Sequence, residues 1–239
     1  MSIIKLNATD STNTYLKQLT LSQVLDDFTV VSTDLQLKGR GQMGAEWVSD
    51  SGKNLTISVL KKLKNFHIQN QFNLNCIVSL ALYDVLYELK VPNLSVKWPN
   101  DILSGNQKIC GILIENILKG KFIHMAILGI GLNVNQIDFG DLERASSLKL
   151  LLGSDFNLDE LTTKTLEKLK SYFELSPEGL KSKYVETLFR KDKPSTFENL
   201  KNEKFTGFIR GVDRVGKLVV EIEDSVIKKF DLKEVKLLY

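Results

Sequence analysis

The stretch between Pro92 and Val134 constrains the fold most, because short apolar segments alternate there with tight turns. Gly105-Asn106 and the tripeptide at 119–121 mark two of these turns. Segments joined by so few residues pair antiparallel to their neighbours. The sequence therefore predicts an antiparallel meander. Its predicted strands are 95–98, 102–103, 109–117 and 122–134.

Helices are predicted on both sides of the meander. Apolar residues recur every three or four positions between 72 and 89, which is typical of a long helix that faces a core. Similar patterns at 158–173 and, after Pro177, at 180–189 predict two more helices.

The first 60 residues predict strands and one helix. Asp10-Ser11 offers N-cap chemistry for a helix that runs through Leu19. Strands are predicted at 3–7, 28–32 and 55–60.

The C-terminal part of the chain has a different pattern. From Lys204 onward, short β-rich segments are separated by turns at 213–216 and 223–225, which predicts four strands and a small β-barrel. A lysine-rich stretch precedes it and ends at Pro194. We expect two domains, 1–190 and 191–239.

Composition excludes several classes of protein. With 43% hydrophobic and 26% charged residues, the chain is that of an ordinary folded protein. Its 32 basic and 29 acidic residues give a net charge of only +3, which does not favour a general nucleic-acid or membrane surface. We find no apolar run long enough for a membrane span and no leader pattern, so a cytoplasmic protein is expected.

Two cysteines and two histidines are too few for a recognisable zinc site. Cys76 and Cys110 stand far apart in apolar surroundings and are interpreted as buried free thiols. A nucleophilic role for Cys110 is the alternative, although no histidine or acid is placed by sequence to activate it.

Three glycines occur within residues 39–44, together with Arg40. Such a loop lets the backbone approach a ligand closely and turn N–H groups toward an anion. A strand is predicted after it instead of a helix, and no Lys-Ser/Thr pair ends it, so it is neither a dinucleotide fingerprint nor a P-loop. A glycine-rich surface loop without a ligand is the plain alternative.

Three more segments carry polar groups at strand ends. In KWPND, Asn100 and Asp101 suit a ribose, a phosphate or Mg²⁺. In KICGILIE, Lys108 begins a strand in which Gly111 would let a ligand lie against the backbone. In GIGLNVN, Asn133 follows two glycines. Each has an ordinary structural reading: a capped turn, a solvated lysine and a bulged core strand.

Taken in order, STN at 11–13, Gln36, GRGQMGAEW, KWPND, KICGILIE, GIGLNVN and ASSL at 145–148 resemble the biotin–protein ligase family. The match spans residues 10–150 and, more loosely, the terminal barrel. The resemblance implies an α+β fold: a mixed sheet with flanking helices, related to class II aminoacyl-tRNA synthetases, plus an SH3-like C-terminal barrel.

The resemblance also assigns residues. It implies catalytic roles for Lys108 and Arg40, and Asp101 falls where the family contacts metal. The residues implied for nucleotide binding are Arg40, Asn100, Lys108 and Asn133. Those implied for biotin are Ser11, Thr12, Asn13, Gln36, Arg40, Gly41, Gln42, Trp47, Lys108 and Gly111.

This sequence departs from the family pattern in two places. The glycine loop carries Gln42, Met43 and Ala45, where the family loop more often reads GRGRxGRxW, so Arg40 is expected to carry more of the phosphate contact. Ten residues precede Ser11, too few for the DNA-binding winged helix of bifunctional members. We therefore expect a ligase that does not bind an operator.

The implied function is an ATP-dependent ligase with biotin as substrate and Mg²⁺ as cofactor. It would form biotinyl-5′-AMP and transfer biotin to a lysine of a biotin carboxyl carrier domain, with no nucleic-acid or membrane partner. A lipoate or octanoate ligase or transferase of the same superfamily is the closest alternative, and a non-catalytic nucleic-acid-binding module is a second. Whether the chain is a monomer or a homodimer is left open.

Overall fold

The computed structural model describes residues 2–176 and 179–239, which form two sheets and five α-helices. In the larger sheet, neighbouring strands follow the order β1-β2-β3-β7-β6-β5-β4. β1 and β2 pair parallel, and all other neighbouring strands pair antiparallel. The predicted mixed sheet and meander are therefore confirmed. The strands are β1 (Ile3–Thr9), β2 (Val30–Gln36), β3 (Leu55–His67), β4 (Leu94–Lys97), β5 (Asp101–Ser104), β6 (Gln107–Lys119) and β7 (Phe122–Leu132).

Helices cover both faces of this sheet. Successive residues of a strand point to opposite faces, so Val30 joins the main core while Val31 packs in a separate cluster with Leu16. Leu16 lies on the helix that covers the second face, and the long predicted helix covers the first. The helices are α1 (Thr12–Ser22), α2 (Phe72–Glu88), α3 (Leu148–Leu152), α4 (Leu158–Glu174) and α5 (Leu180–Glu186).

Ser11 caps α1 as predicted, since its side chain accepts a hydrogen bond from the Thr14 backbone N–H. The helix predicted at 180–189 is shorter than expected. α5 ends at Glu186, and Leu188 forms a parallel bridge with Val96 of β4. Pro177, which separates the two predicted helices, lies outside the described residues.

The second sheet has five antiparallel strands in the order β11-β10-β9-β8-β12. The four strands predicted from Lys204 onward are present, and β8 was missed because Ser195, Thr196 and Glu198 give it a polar sequence. The strands are β8 (Pro194–Asn199), β9 (Lys204–Val212), β10 (Leu218–Glu221), β11 (Ile227–Phe230) and β12 (Val235–Leu238).

This second sheet packs against the rest of the chain. Trp98 donates a hydrogen bond from Nε1 to the Gly216 carbonyl at 2.9 Å. Phe197 and Ile209 belong to the same buried cluster as the α2 residues. A Cβ on Gly216 would lie 2.2 Å from a ring carbon of Phe72, so the turn before β10 sits directly on α2. In the part of the chain that the structure describes, no helix is long and apolar enough to cross a membrane.

Candidate functional site

A cavity of about 250 Å³ opens over the sheet between the start of α1, the glycine loop and the middle of β6 and β7. All ten residues that the resemblance implies for biotin line it, as do Asn100 and Asp101. The residues come from segments up to 100 positions apart in sequence. The fold therefore brings together what the sequence could only present as separate motifs.

The floor of the cavity is a buried polar network. Gln36 Oε1 accepts hydrogen bonds from the Thr12 backbone N–H at 2.8 Å and from the Thr12 hydroxyl at 3.1 Å. The Ser58 hydroxyl lies 2.7 Å from Thr12 Oγ1 and 2.6 Å from Asn13 Oδ1. Gly129 leaves room for Asn13, because a Cβ there would lie 2.5 Å from Asn13 Oδ1. The floor thus presents several oxygen acceptors and an amide.

The glycine loop forms a small hairpin over the cavity. Arg40 bridges Glu46, and the Trp47 N–H donates to the Gly39 carbonyl at 3.0 Å. This pairing places the Trp47 indole against the sheet: a Cβ on Gly131 would meet an indole carbon at 2.5 Å, and one on Gly111 would do so at 3.1 Å. The two glycines face each other across β6 and β7. The expectation that a ligand lies against the backbone at Gly111 is therefore corrected, because the Trp47 ring occupies that position.

Lys108 lies near the start of β6 and extends into the cavity. Its Nζ is 2.7 Å from Asp101 Oδ1, and Lys97 Nζ is 3.6 Å from the other oxygen of that carboxylate. Nζ also lies 5.8 Å from the centre of the Trp47 ring. The strand end is fixed by the Arg144 carbonyl, which accepts from the Lys108 N–H at 2.6 Å. An ammonium group is thus held at the wall of the cavity.

A second cavity of about 440 Å³ also borders Trp47. It shares Glu46, Trp47, Asp101 and Lys108 with the first cavity, so Lys108 stands at their junction. Asn133 lines the second cavity and not the first. The other residues around it are Val48, Lys97, Phe139, Asp141, Leu142, Glu143, Arg144, Ala145 and Tyr239.

The two predicted nucleotide-side asparagines are buried and tied to the backbone. The Asn100 side chain donates to the Ile112 carbonyl at 2.7 Å, and the Asn133 side chain donates to the Ser146 carbonyl at 2.9 Å. Both amides therefore also brace the strands and loops that surround the cavities.

Neither cysteine is part of the site. Burial raises the pKa of Cys76 to about 12, and complete burial raises the pKa of Cys110 well above its usual range. A thiol that stays protonated is a poor nucleophile, so both behave as the predicted buried thiols. Among residues 2–176 and 179–239, no three His, Cys, Asp or Glu side chains cluster as metal ligands do.

The sequence alone did not single out two residues that the fold places beside the site, Glu115 and Ser58. Glu115 accepts from Asn13 Nδ2 at 2.8 Å and from Arg40 Nη2 at 3.3 Å. A signal for it was present, because Glu115 lies four residues after Gly111 on the same strand and so on the same face. Ser58, by contrast, occurs in an ordinary apolar strand that gave no signal.

The glycine loop closes over a polar cavity, and Lys108 stands between that cavity and a second one, which leaves space for two small molecules side by side. Comparison with known proteins identifies the protein further. The model of the biotin/lipoate A/B protein ligase family matches residues 6–133, and the chain belongs to this family.

Individual relatives agree with this placement. The chain is 28% identical to the bifunctional ligase/repressor BirA of Escherichia coli, over 99% of its own length and 74% of that protein. It is 36% identical to the biotin–[acetyl-CoA-carboxylase] ligase of Paracoccus denitrificans, over 53% of this chain and 52% of the relative. The structure of the biotin protein ligase from Aquifex aeolicus in complex with biotin and ATP is similar with a TM-score of 0.82 and 28% identity, covering 99% of this chain and 98% of that one.

Proposed function

We propose that this protein is a biotin–protein ligase that uses MgATP to form biotinyl-5′-AMP and then transfers biotin to a lysine of a biotin carboxyl carrier domain. The observation that carries the proposal is the pair of cavities that meet at Lys108. One cavity suits an acid and the other a nucleotide, and their junction is where the two must react. The names of its relatives support the same function.

In the first reaction, a carboxylate oxygen of biotin attacks the α-phosphorus of ATP and the bond to pyrophosphate breaks. Negative charge grows on the phosphate oxygens during this step, and Lys108 and Arg40 are the cations proposed to stabilise it. In the second reaction, the acceptor amine attacks the biotinyl carbonyl carbon, loses a proton and expels AMP. No covalent bond to the enzyme is required.

The polar floor favours biotin over lipoate or octanoate. The ureido ring of biotin has two N–H donors and a carbonyl acceptor, which suit the oxygens of Thr12 and Gln36 and the amide of Asn13 on the cavity lining. Lipoate and octanoate carry no such groups at that end. They cannot hydrogen-bond to this polar network, so we expect biotin to bind more tightly than either of them.

On the nucleotide side, we propose that Asn100 and Asn133 contact ATP and that Asp101 approaches the magnesium ion that arrives with it. Magnesium is commonly held by one or two carboxylates together with substrate phosphates, and Asp101 borders both cavities. Its ion pairs with Lys97 and Lys108 would rearrange when the phosphates bind.

We further propose that residues 191–239 form an SH3-like domain, docked on the rest of the chain, that aids nucleotide or acceptor engagement without holding the biotin pocket. Tyr239 supports this role, since it lines the second cavity and its ring lies 4.8 Å from the Arg144 guanidinium. None of the ten residues assigned to biotin lies in this segment.

The test is pyrophosphate release with MgATP and each of three acids: biotin, lipoate and octanoate. We expect biotin to support release at low concentration and the other two to fail. Release with lipoate or octanoate in preference to biotin would instead indicate a lipoate or octanoate ligase.

A further inference from the structure

From the contacts of Glu115 we infer that this residue is the anchor of the glycine loop: one carboxylate positions both the loop cation Arg40 and the floor amide Asn13. The inference deepens the proposed function and rests on it for its kinetic part.

Glu115 stands midway between the loop and the cavity floor. Its side chain is 24% exposed, and its carboxylate contacts two donors, Asn13 Nδ2 at 2.8 Å and Arg40 Nη2 at 3.3 Å. Asn13 is itself held by the Ser58 hydroxyl and by the Leu113 carbonyl. A continuous chain of polar contacts therefore links the loop cation to the buried floor.

Arg40 is the only cationic residue between positions 39 and 47. Besides Glu115, it contacts the Thr14 hydroxyl at 2.9 Å. Both contacts use the terminal nitrogen Nη2. Because a guanidinium presents five N–H groups in a rigid fork, Arg40 can keep this tether and still offer its other nitrogens to a phosphate.

The tether extends beyond Arg40. The loop is a hairpin in which the Arg40 backbone pairs with that of Glu46. A fixed Arg40 therefore also holds the next residue, Trp47, in place over Gly111 and Gly131. Loss of the Glu115 charge should loosen the whole hairpin. Loss of this charge should also weaken the hydrogen bond from Asn13 Nδ2 to Glu115, on the floor side of the carboxylate. Glu115 is thus a positioning residue, since it acts through Arg40 and Asn13.

The first experiment needs no substrate. Limited digestion with an arginine-specific protease measures the opening of the loop, because Arg40 must leave its contacts to be cleaved at the bond to Gly41. We expect Glu115→Gln and Thr14→Val each to raise the cleavage rate there by up to about fivefold, since an exposed polar contact contributes at most about 1 kcal/mol. Glu167→Gln, which alters an exposed glutamate of α4, should leave it unchanged.

The second experiment uses the kinetics of adenylate formation to separate the contact of Glu115 with Arg40 from its contact with Asn13. Glu115→Gln should raise the KM for biotin about threefold through Asn13 and lower kcat roughly tenfold through Arg40. In an Arg40→Gln background, Glu115→Gln should lower kcat no further but still raise KM, which is the non-additivity expected of residues in contact.

The inference is overturned if the protease cleaves the Glu115→Gln variant at Arg40 no faster than it cleaves the parent protein. It is also overturned if the effect of Glu115→Gln on kcat is fully additive with that of Arg40→Gln. Thermal unfolding of each variant checks that the fold is kept. Failure of the proposed function has a different signature, because a parent protein that forms no adenylate from biotin would still show the predicted pattern of cleavage rates.

Discussion

Replacing Lys108 by Gln removes a cation from the junction of the two cavities while keeping a hydrogen-bonding side chain of similar length. In the folded protein its ammonium pairs with Asp101 at 2.7 Å, with the two side chains 37% and 16% exposed. A pair that remains this accessible to solvent contributes about 0.2–1 kcal/mol to folding, so the free energy of unfolding should barely change.

The effect on catalysis should be much larger. Loss of one preorganised group that stabilises transition-state charge typically costs a factor of about 10²–10³, or roughly 2.7–4 kcal/mol. We therefore expect pyrophosphate release with biotin and MgATP to fall by that factor while urea unfolding shifts little. Direct biotin binding should weaken less, because the transition state carries more charge than the ground state.

Lys97→Gln is the matched control, since Lys97 contacts the same carboxylate at the longer distance of 3.6 Å and lines the second cavity but not the first. Its rate should fall by less than about tenfold. Near-normal pyrophosphate release in Lys108→Gln, or equal losses in the two variants, would refute the assignment of Lys108.

Two further predictions concern the sheet and the core. Gly131→Ala places a Cβ 2.5 Å from the Trp47 indole, so the ring must move by roughly 1 Å. The rate of adenylate formation should then fall by up to about 10²-fold with little loss of stability. An unchanged rate would contradict the placement of the ring. Because burial raises the pKa of Cys76 to about 12 and that of Cys110 still further, these thiols ionise in the unfolded chain first, from about pH 8.5. Their contribution to stability is therefore complete below that pH and is lost as the pH rises toward 12. Urea unfolding between pH 7 and 10 should show a shallower decline in the Cys76→Ala/Cys110→Ala variant, and an identical slope would contradict this.

Much of the fold could be predicted because its signals are local. The helical spacing at 72–89 and the tight turns at 105–106 and 119–121 specify α2 and the meander without reference to the rest of the chain. The strand β8 was missed, since its pairing with β9 and β12, and not its own composition, makes it a strand. The helix α5 ends early because Leu188 is used to extend the sheet at β4.

The sequence predicted which residues lie together around the first cavity, but not how they are arranged there. The motifs named the ten residues assigned to biotin, all of which line the first cavity, but they did not indicate that the Trp47 ring fills the space over Gly111 and Gly131. That contact follows from the hairpin of the glycine loop, which depends on backbone pairing across seven residues. The role of Glu115 likewise depends on Asn13, 102 positions away. Contacts at such separations come from topology and leave no pattern in the sequence.

The most direct test of the proposed function is a mass measurement on an acceptor. The purified protein is incubated with biotin, MgATP and a biotin carboxyl carrier domain, and the intact carrier is then analysed by mass spectrometry. We predict that one carrier lysine gains a single biotinyl group, with AMP and pyrophosphate released in equal amounts. A carrier that stays unmodified under these conditions, or that is modified when lipoate but not biotin is supplied, would contradict it.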